Sequence, residues 1–184
     1  MRDLAGSLRT WWYRIKYEFL FKKMTLGEGT RIRSRLLIKG PGKVVVGANC
    51  ILDKDPWGAD FVTFHTHHPE ALIAIGDNVI LRATRFGCHE NITVGTGAVL
   101  ENASLYDSDF HNVDASRRDE DYHHRNRPVI IGDHCYLGLE CQCGKGAQLG
   151  PSVKVLPLSI IGTRRVPGSA TIWGNPPKLA RPLS

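Results

Sequence analysis

The stretch IGDHCY-LGLECQ-CGKGAQ-LGPSVK-VLPLSI-IG, residues 131–162, repeats one six-residue pattern. The first position of each hexad is apolar: Ile131, Leu137, Cys143, Leu149, Val155 and Ile161. The second position is glycine in five of these six hexads, whereas 19 glycines among 184 residues predict fewer than one. The fifth position is small: Cys135, Cys141, Ala147, Val153 and Ser159. The repeat indicates one structural unit used several times in succession.

Each hexad predicts a short flat strand that ends in a tight corner. The first and fifth residues lie on the same strand face and point inward, which explains why they are apolar or small. Three hexads close one triangular coil of about 18 residues, and stacked coils pair their backbones around one core. The chain is therefore predicted to be all-β, a parallel β-helix of hexapeptide repeats. Periodicity alone does not set the hand of this helix.

A fainter copy of the repeat precedes residue 131. Its hexads open with Ile75 and Leu81 and, after a one-residue slip at Gly87, with Cys88, Val94 and Leu100. The hexad at Leu81 fits worst, because its register points Arg85 inward. Cys88, Cys135, Cys141 and Cys143 fall on inward positions, and so does Cys50 if Val46 opens its hexad. We interpret them as small core side chains and expect no metal site, since no paired Cys-x-x-Cys motif completes four ligands.

Three segments are predicted along the chain: an amphipathic helix at 1–24, the β-helix at 25–163 and a C-terminal tail segment at 164–184. In the first segment, an apolar stripe holds Leu8, Trp12, Ile15 and Phe19, and a basic one holds Arg9, Lys16 and Lys23. One interpretation of residues 8–23 is a helix packed on the domain or on a neighbouring subunit. The other is a helix that lies on an anionic membrane surface.

The net charge of +6 is concentrated at the two ends of the chain. Residues 1–23 and 163–184 each contribute +4, so the centre carries −2. A protein that wraps a nucleic acid usually interleaves basic and aromatic residues along one surface. The centre of this chain has no such pattern, and we therefore expect no nucleic-acid partner. No apolar run approaches the ~18 residues of a membrane span, and no signal peptide is evident. We expect a cytoplasmic protein, with membrane association as the open alternative.

The hexads stop at residues 106–128, which predicts a loop extruded from the β-helix. The loop begins Asp107-Ser108-Asp109-Phe110-His111. An imidazole accepts a proton near neutral pH, and a neighbouring carboxylate orients it. By itself this pattern also fits a solvated loop with an ordinary surface histidine.

The motifs taken in order resemble those of the hexapeptide-repeat acetyltransferases, in particular the maltose, galactoside and polysaccharide O-acetyltransferase group. They are Val94 to His111, Arg-Pro-Val-Ile-Ile-Gly-Asp at 127–133, Tyr136-Leu137-Gly138 and Gly-Asn-Pro-Pro-Lys at 174–178. The resemblance implies a left-handed β-helix, a homotrimer and an acetyl-CoA donor bound between subunits. It also implies that the histidine 17 residues after Val94, which is His111, acts as the general base.

The same resemblance assigns roles to further residues. The expected contacts to acetyl-CoA are Leu139, Pro157, Thr163, Arg164, Lys178 and Arg181. Asp109, or else Asp107, is expected to orient the imidazole, and the acceptor contacts are assigned to His89, Asp107 and Arg117. An asparagine of some sugar acetyltransferases falls near Ala83 and Thr84 here, and an aspartate falls at His89. These departures leave the acceptor open, and a sugar or glycan-precursor hydroxyl in polysaccharide biosynthesis is the expectation.

Three other functions stay open at this point. The first is N-acetylation of an amino sugar on the same scaffold. The second is a metal-dependent carbonic anhydrase, for which the upstream donors would be His65, His67, His68 and His89. The third is a β-helix scaffold without enzymatic activity, although such a scaffold needs neither His111 in its register nor a basic C-terminus without acids.

Overall fold

The computed structural model describes residues 4–112, 114–118, 120 and 126–180. The chain begins with α1 (Leu4–Tyr13), which continues as a π-helical stretch (Arg14–Leu20). Within the described residues, 21 short strands follow: β1 Met24–Leu26, β2 Arg31–Ile32, β3 Arg35–Lys39, β4 Lys43–Val46, β5 Ile51–Asp53, β6 Phe61–Thr66, β7 Leu72–Ile75, β8 Ile80–Arg82, β9 Arg85–Cys88, β10 Asn91–Val94, β11 Val99–Glu101, β12 Ser104–Tyr106, β13 Val129–Ile131, β14 Tyr136–Leu137, β15 Gln142–Cys143, β16 Ala147–Leu149, β17 Lys154–Val155, β18 Ile160–Ile161, β19 Arg164–Val166, β20 Thr171–Trp173 and β21 Lys178–Ala180.

Every third strand joins the same sheet, so three consecutive strands make one coil. One sheet has the order β1-β4-β7-β10-β13-β16-β19, and the second runs from β2 through β5 and β8 to β20 and β21. The third holds β3, β6, β9, β12, β15 and β18. Neighbouring coils pair in parallel, and only the final β20–β21 pair among the described strands is antiparallel. The predicted fold class is confirmed: the chain is a left-handed parallel β-helix.

The hexad positions form the core as predicted. First-position side chains such as Leu137 and Val155 are fully buried, and so are fifth-position residues such as Cys141 and Val153. All five cysteines are buried free thiols. Burial is the main cause that raises the pKa of the Cys50, Cys135 and Cys141 thiols, because a thiolate loses its hydration there.

The hexad at Leu81 differs from its predicted register. Arg85 is exposed, and Thr84 and Phe86 are buried in its place. Phe86 pairs with Leu105, which pairs with Cys143, so Phe86 occupies the same inward position in its coil as Cys143 does in the regular one. Phe86 nevertheless follows the preceding inward residue, Leu81, by only five residues. In the regular coil the same step, from Leu137 to Cys143, takes six. The inward prediction for Arg85 is therefore wrong, because this corner is one residue shorter.

The last coil begins at Arg164, where a C-terminal tail segment is predicted. β19 pairs with β16, and β20 pairs with β17, so both strands extend the parallel sheets. Val166, Ala170 and Ile172 continue the inward positions and are buried. The chain thus keeps coiling beyond residue 163, because its core pattern continues there.

The N-terminal helix packs on the first coil through residues outside its apolar stripe. The Thr10 hydroxyl accepts a hydrogen bond from the Ile32 N–H at 2.8 Å, and the Tyr13 hydroxyl accepts one from the Leu36 N–H at 3.0 Å. Tyr17 is buried against the same coil. Leu8, Trp12 and Phe19 of the predicted stripe are exposed. In the part of the chain that the structure describes, no helix is long and apolar enough to cross a membrane.

Candidate functional site

A buried carboxylate fixes the point where the loop leaves the third sheet. Asp107 follows β12, and its side chain is 0% exposed. Its Oδ1 accepts a hydrogen bond from the backbone N–H of His89 at 2.8 Å. Its Oδ2 accepts two more, from the N–H groups of Glu90 at 2.7 Å and Asn91 at 2.8 Å. The chain at 89–91, which enters the next strand, is thereby tied to the start of the loop.

The same carboxylate affects a neighbouring thiol. The Cys88 Sγ lies 3.4 Å from Asp107 Oδ2. Burial is the largest cause that raises the pKa of Cys88, and the charge of Asp107 and this hydrogen bond raise it further. Cys88 therefore stays a protonated donor to the carboxylate. Because all of these contacts bury Asp107, its carboxylate offers no exposed oxygen to an acceptor molecule.

The returning end of the loop is held beside its start. The Arg127 N–H donates to the Asp107 carbonyl at 3.0 Å, and the Arg127 carbonyl accepts from the Gly146 N–H at 3.0 Å. The Lys145 ammonium, next to Gly146, forms an ion pair with the Asp109 carboxylate. These contacts join both ends of the loop to the fifth coil (β13–β15) and the corner that follows it.

Phe110 folds back over the sheet and sets the direction of the next residue. Its backbone has a φ of +61°, and its N–H donates to the Ser108 hydroxyl at 2.9 Å. The ring lies above Gly87, where an added Cβ would be 2.7 Å from Phe110 Cζ. The Tyr106 ring meets it edge-on at 5.5 Å between centroids. Gly87 is therefore needed for a close approach of the loop.

His111 stands exposed at the end of this turn. Its backbone N–H donates to the Asp109 carbonyl at 2.7 Å. Among the described residues, no side chain or backbone group hydrogen-bonds to the His111 imidazole. The Asp109 carboxylate, the expected orienting group, is held by Lys145. The His111 ring is thus accessible to a substrate. Asp109 contacts the turn through its carbonyl, which accepts from the His111 N–H, while its carboxylate pairs with Lys145.

Three imidazoles stack in a row beside Phe110. The ring centroids of His65 and His67 are 4.0 Å apart, and those of His67 and His89 are 4.5 Å apart with parallel planes. Phe110 packs against His67 at 5.0 Å and against His89 at 5.6 Å. In the described ranges, no group of three or more His, Cys, Asp or Glu side chains is arranged to hold a metal ion.

The middle of the loop holds Arg117 in a short 3₁₀ turn, Ala115–Arg117. Asp114 caps this turn, because its carboxylate accepts from the Ser116 hydroxyl and N–H, and these bonds lower its pKa. Arg117 forms an ion pair with Glu120 at 2.6 Å, and the hydrogen bond lowers the pKa of that carboxyl. His123 and His124 lie outside the described residues.

The expected donor contacts lie on the later coils. Leu139 and Pro157 stand at the same corner of two successive coils, where the Leu139 carbonyl accepts from the Leu158 N–H at 2.9 Å. Arg164 donates to the Pro177 carbonyl at 2.9 Å, and Lys178 is exposed on β21. Arg181 lies outside the described residues.

Lys145, which the sequence patterns do not single out, connects the two groups of expected site residues. Its carbonyl accepts from the Thr163 hydroxyl at 2.9 Å, while its ammonium pairs with Asp109. One residue thus touches an expected donor contact and the turn that carries His111. Lysine in the third position of a hexad is an outward residue like many others, so the pattern alone gives no signal for this role.

No protein-family model and no curated protein sequence matches the chain. AntD, an N-acyltransferase from Bacillus cereus crystallised as a mutant with dTDP and coenzyme A, has a TM-score of 0.55 at 15% identity, over 85% of this chain and 82% of AntD. The polySia specific acetyltransferase NeuO has a TM-score of 0.46 at 17% identity, over 87% of each chain. A maltose O-acetyltransferase from Clostridium difficile 630 has a TM-score of 0.39 at 17% identity, over 86% of this chain and 64% of that one. The chain therefore has the left-handed β-helix fold of the hexapeptide-repeat acyltransferases.

Proposed function

We propose that the protein transfers an acetyl group from acetyl-CoA to a hydroxyl of a sugar or glycan precursor, with His111 as the general base. One observation carries the proposal. An exposed imidazole, without a hydrogen-bond partner among the described residues, stands on a turn that Lys145 ties to Thr163, one of the expected donor contacts. The fold shared with AntD, which was crystallised with coenzyme A, supports an acyl-CoA donor.

The donor is proposed to lie along the later coils. Arg164, Lys178 and Arg181 supply positive charge for the phosphates of coenzyme A, and residues 163–184 contain no acid. Thr163, Leu139 and Pro157 supply shape and backbone groups along the same path. We place the thioester at the end of this path nearest His111. In a homotrimer, a neighbouring subunit would form the second wall.

The reaction is proposed to be a direct transfer in a ternary complex. His111 removes the proton from the acceptor hydroxyl while the hydroxyl oxygen attacks the thioester carbonyl. The carbon–sulfur bond then breaks, and coenzyme A leaves as a thiol after the protonated imidazole returns the proton. General-base catalysis of this kind contributes ~10²- to 10⁴-fold, and holding both substrates together contributes more.

The neighbours of His111 are proposed to position it. Asp109 acts through its carbonyl, which holds the His111 N–H, and through its ion pair with Lys145. Asp107 acts as the buried anchor of the loop and, because its carboxylate is not exposed, it does not contact the acceptor. His89 and Arg117 remain the proposed acceptor contacts, and the stacked His67 extends the surface beside His89.

Transfer to an amino group is the second candidate function. The observation that favours it is the shared fold with AntD, an N-acyltransferase. An ester product is cleaved by neutral hydroxylamine and an amide is not, so this treatment separates the two products. For either activity we propose a cytoplasmic enzyme of polysaccharide biosynthesis.

The test replaces His111 and measures binding separately from turnover. We expect His111→Ala to lower kcat by about 10³-fold or more, because no other residue is assigned to take the proton from the acceptor. Coenzyme A affinity, measured by calorimetry, and the thermal unfolding midpoint should stay close to those of the wild type. His68→Ala is the matched control, since His68 is also exposed. Near-normal turnover of His111→Ala would remove the mechanism, and failure of the wild type to bind coenzyme A would remove the donor.

A further inference from the structure

The N-terminal helix presents a large apolar surface to solvent. Six large apolar side chains between residues 8 and 21, which we call the aromatic face, are 55–68% exposed: Leu8, Trp11, Trp12, Phe19, Leu20 and Phe21. The helix uses Thr10, Tyr13 and Tyr17 for its contacts with the first coil. The aromatic face is therefore not required for packing within the chain. A contiguous exposed surface of this kind usually marks a docking site.

The helical segment that carries the aromatic face is basic. Residues 4–23 contain one acid, Glu18, and five basic residues: Arg9, Arg14, Lys16, Lys22 and Lys23. Glu18 lies 3.7 Å from Arg14, so its charge is already paired locally. The Lys16 ammonium lies over the Tyr17 ring at 4.9 Å, and Lys22 is exposed. The surface as a whole combines indole and phenyl rings with a net positive charge.

We infer that the aromatic face docks the protein on an anionic lipid bilayer. Tryptophan and phenylalanine side chains enter the boundary between head groups and acyl chains, and lysines at the rim attract anionic head groups. A two-fold contact between two copies of this face would bring together two segments, residues 4–23 of each copy, that each carry a net charge of +4. The charge therefore favours a bilayer over a second copy as the occupant.

The position of the helix is compatible with the proposed activity. α1 and the π-helical stretch lie on β2 and β1, at the first coil of the stack. The loop with His111 leaves after the fourth coil, β10–β12, and the expected donor contacts lie on later coils. Docking through the aromatic face thus uses no residue assigned to transfer, and it is independent of the proposed function.

Vesicle sedimentation tests this inference with the full chain. We expect the wild type to bind vesicles of phosphatidylglycerol and phosphatidylcholine and to bind pure phosphatidylcholine much less. Trp11→Glu with Trp12→Glu should weaken binding at least about tenfold, since two large apolar side chains no longer enter the bilayer. Lys16→Glu with Lys22→Glu should weaken it by roughly fivefold for each charge removed.

Trp57→Glu is the matched control, because Trp57 is 71% exposed but lies in the second coil, between β5 and β6. We expect it to bind like the wild type. The inference is overturned if the wild type binds neither vesicle, if it binds both equally, or if Trp57→Glu is as weak as the helix variants. It is also overturned if the Trp11/Trp12 variant binds normally, or if that variant changes the oligomeric mass in solution. Transfer to a soluble acceptor should persist in the Trp11/Trp12 variant, which separates this test from the one on His111.

Discussion

The fifth and sixth coils, Val129–Ile161, keep the hexad register without interruption, whereas the third and fourth coils, Leu72–Tyr106, depart from it at a corner and then at the loop. The two regions also differ in what they bury. Among the described residues, the irregular coils bury three polar side chains, Thr84, Asn102 and Ser104, and the regular coils bury one, Ser159. The regular coils thus keep an almost wholly apolar core, whereas the irregular coils bury more polar groups and carry the loop with His111.

The largest expected effect concerns Asp107, the fully buried carboxylate at the point where the loop leaves the irregular coils. Asp107→Ala should lower the free energy of unfolding by about 3 kcal/mol or more, because three backbone N–H groups lose their acceptor inside the protein. Urea unfolding followed by circular dichroism measures this loss. The free energy of unfolding of Asp107→Asn should fall between those of the wild type and Asp107→Ala, since asparagine keeps one acceptor oxygen.

Ser159→Ala is the control from the regular region. Its hydroxyl donates to the Leu156 carbonyl at 2.6 Å and accepts from the Gly174 N–H at 3.0 Å. Its removal should cost only about 1 kcal/mol, the usual net value for neutral hydrogen bonds. Equal losses for Asp107→Ala and Ser159→Ala would contradict a special anchoring role for Asp107.

A second comparison uses two glycines. Gly87→Ala should lower kcat by up to about 10²-fold, because the new methyl group displaces Phe110 and with it His111. In the regular region, Gly144→Ala meets its nearest atom at 3.7 Å, an ordinary contact, and should keep wild-type kcat. Steady-state kinetics of both variants checks the prediction. If Gly144→Ala impairs turnover as much as Gly87→Ala, the effect is not local to the loop.

The smallest expected effect is that of the ion pair between the loop and the fifth coil. Lys145→Met should lower kcat by about tenfold, by loosening the turn at Asp109, and should change stability by less than ~1 kcal/mol because the pair is partly exposed. Lys154→Met is the control, since Lys154 is exposed on β17 of a regular coil. Kinetics and thermal unfolding measured on the same samples separate the two effects. A loss confined to KM for the donor would instead assign Lys145 to coenzyme A binding.

Most of the core was predictable from the sequence, because an inward position must be apolar or small in every coil. Arg85 was not, since a corner that lacks one residue still leaves a plausible hexad in the sequence. The burial of Asp107 was also hidden, because an aspartate at the start of a charged loop usually lies in solvent. The three N–H groups of 89–91 and the Cys88 thiol make its burial favourable, and the sequence does not show that they lie beside it.

The contacts of the N-terminal helix and of the loop could not be predicted from local sequence patterns. The apolar stripe at Leu8, Trp12 and Phe19 left open whether it packs on protein or lies on a membrane, and in the structure Thr10 and Tyr13 make the contacts with the first coil through their hydroxyl groups. His111 is a candidate general base only through the resemblance to hexapeptide-repeat acetyltransferases, which places the base 17 residues after Val94. The ion pair of Lys145 with Asp109 joins residues 36 apart, and no periodic rule connects them.

The last strand has a consequence for solubility. A stack of parallel coils ends in an open edge, and such an edge is a template on which another molecule can add its own strand and start a fibre. β21 runs antiparallel to β20 and covers that edge of the second sheet. An incoming parallel coil therefore meets a strand of the opposite direction on this sheet, which disfavours the addition of a further coil there.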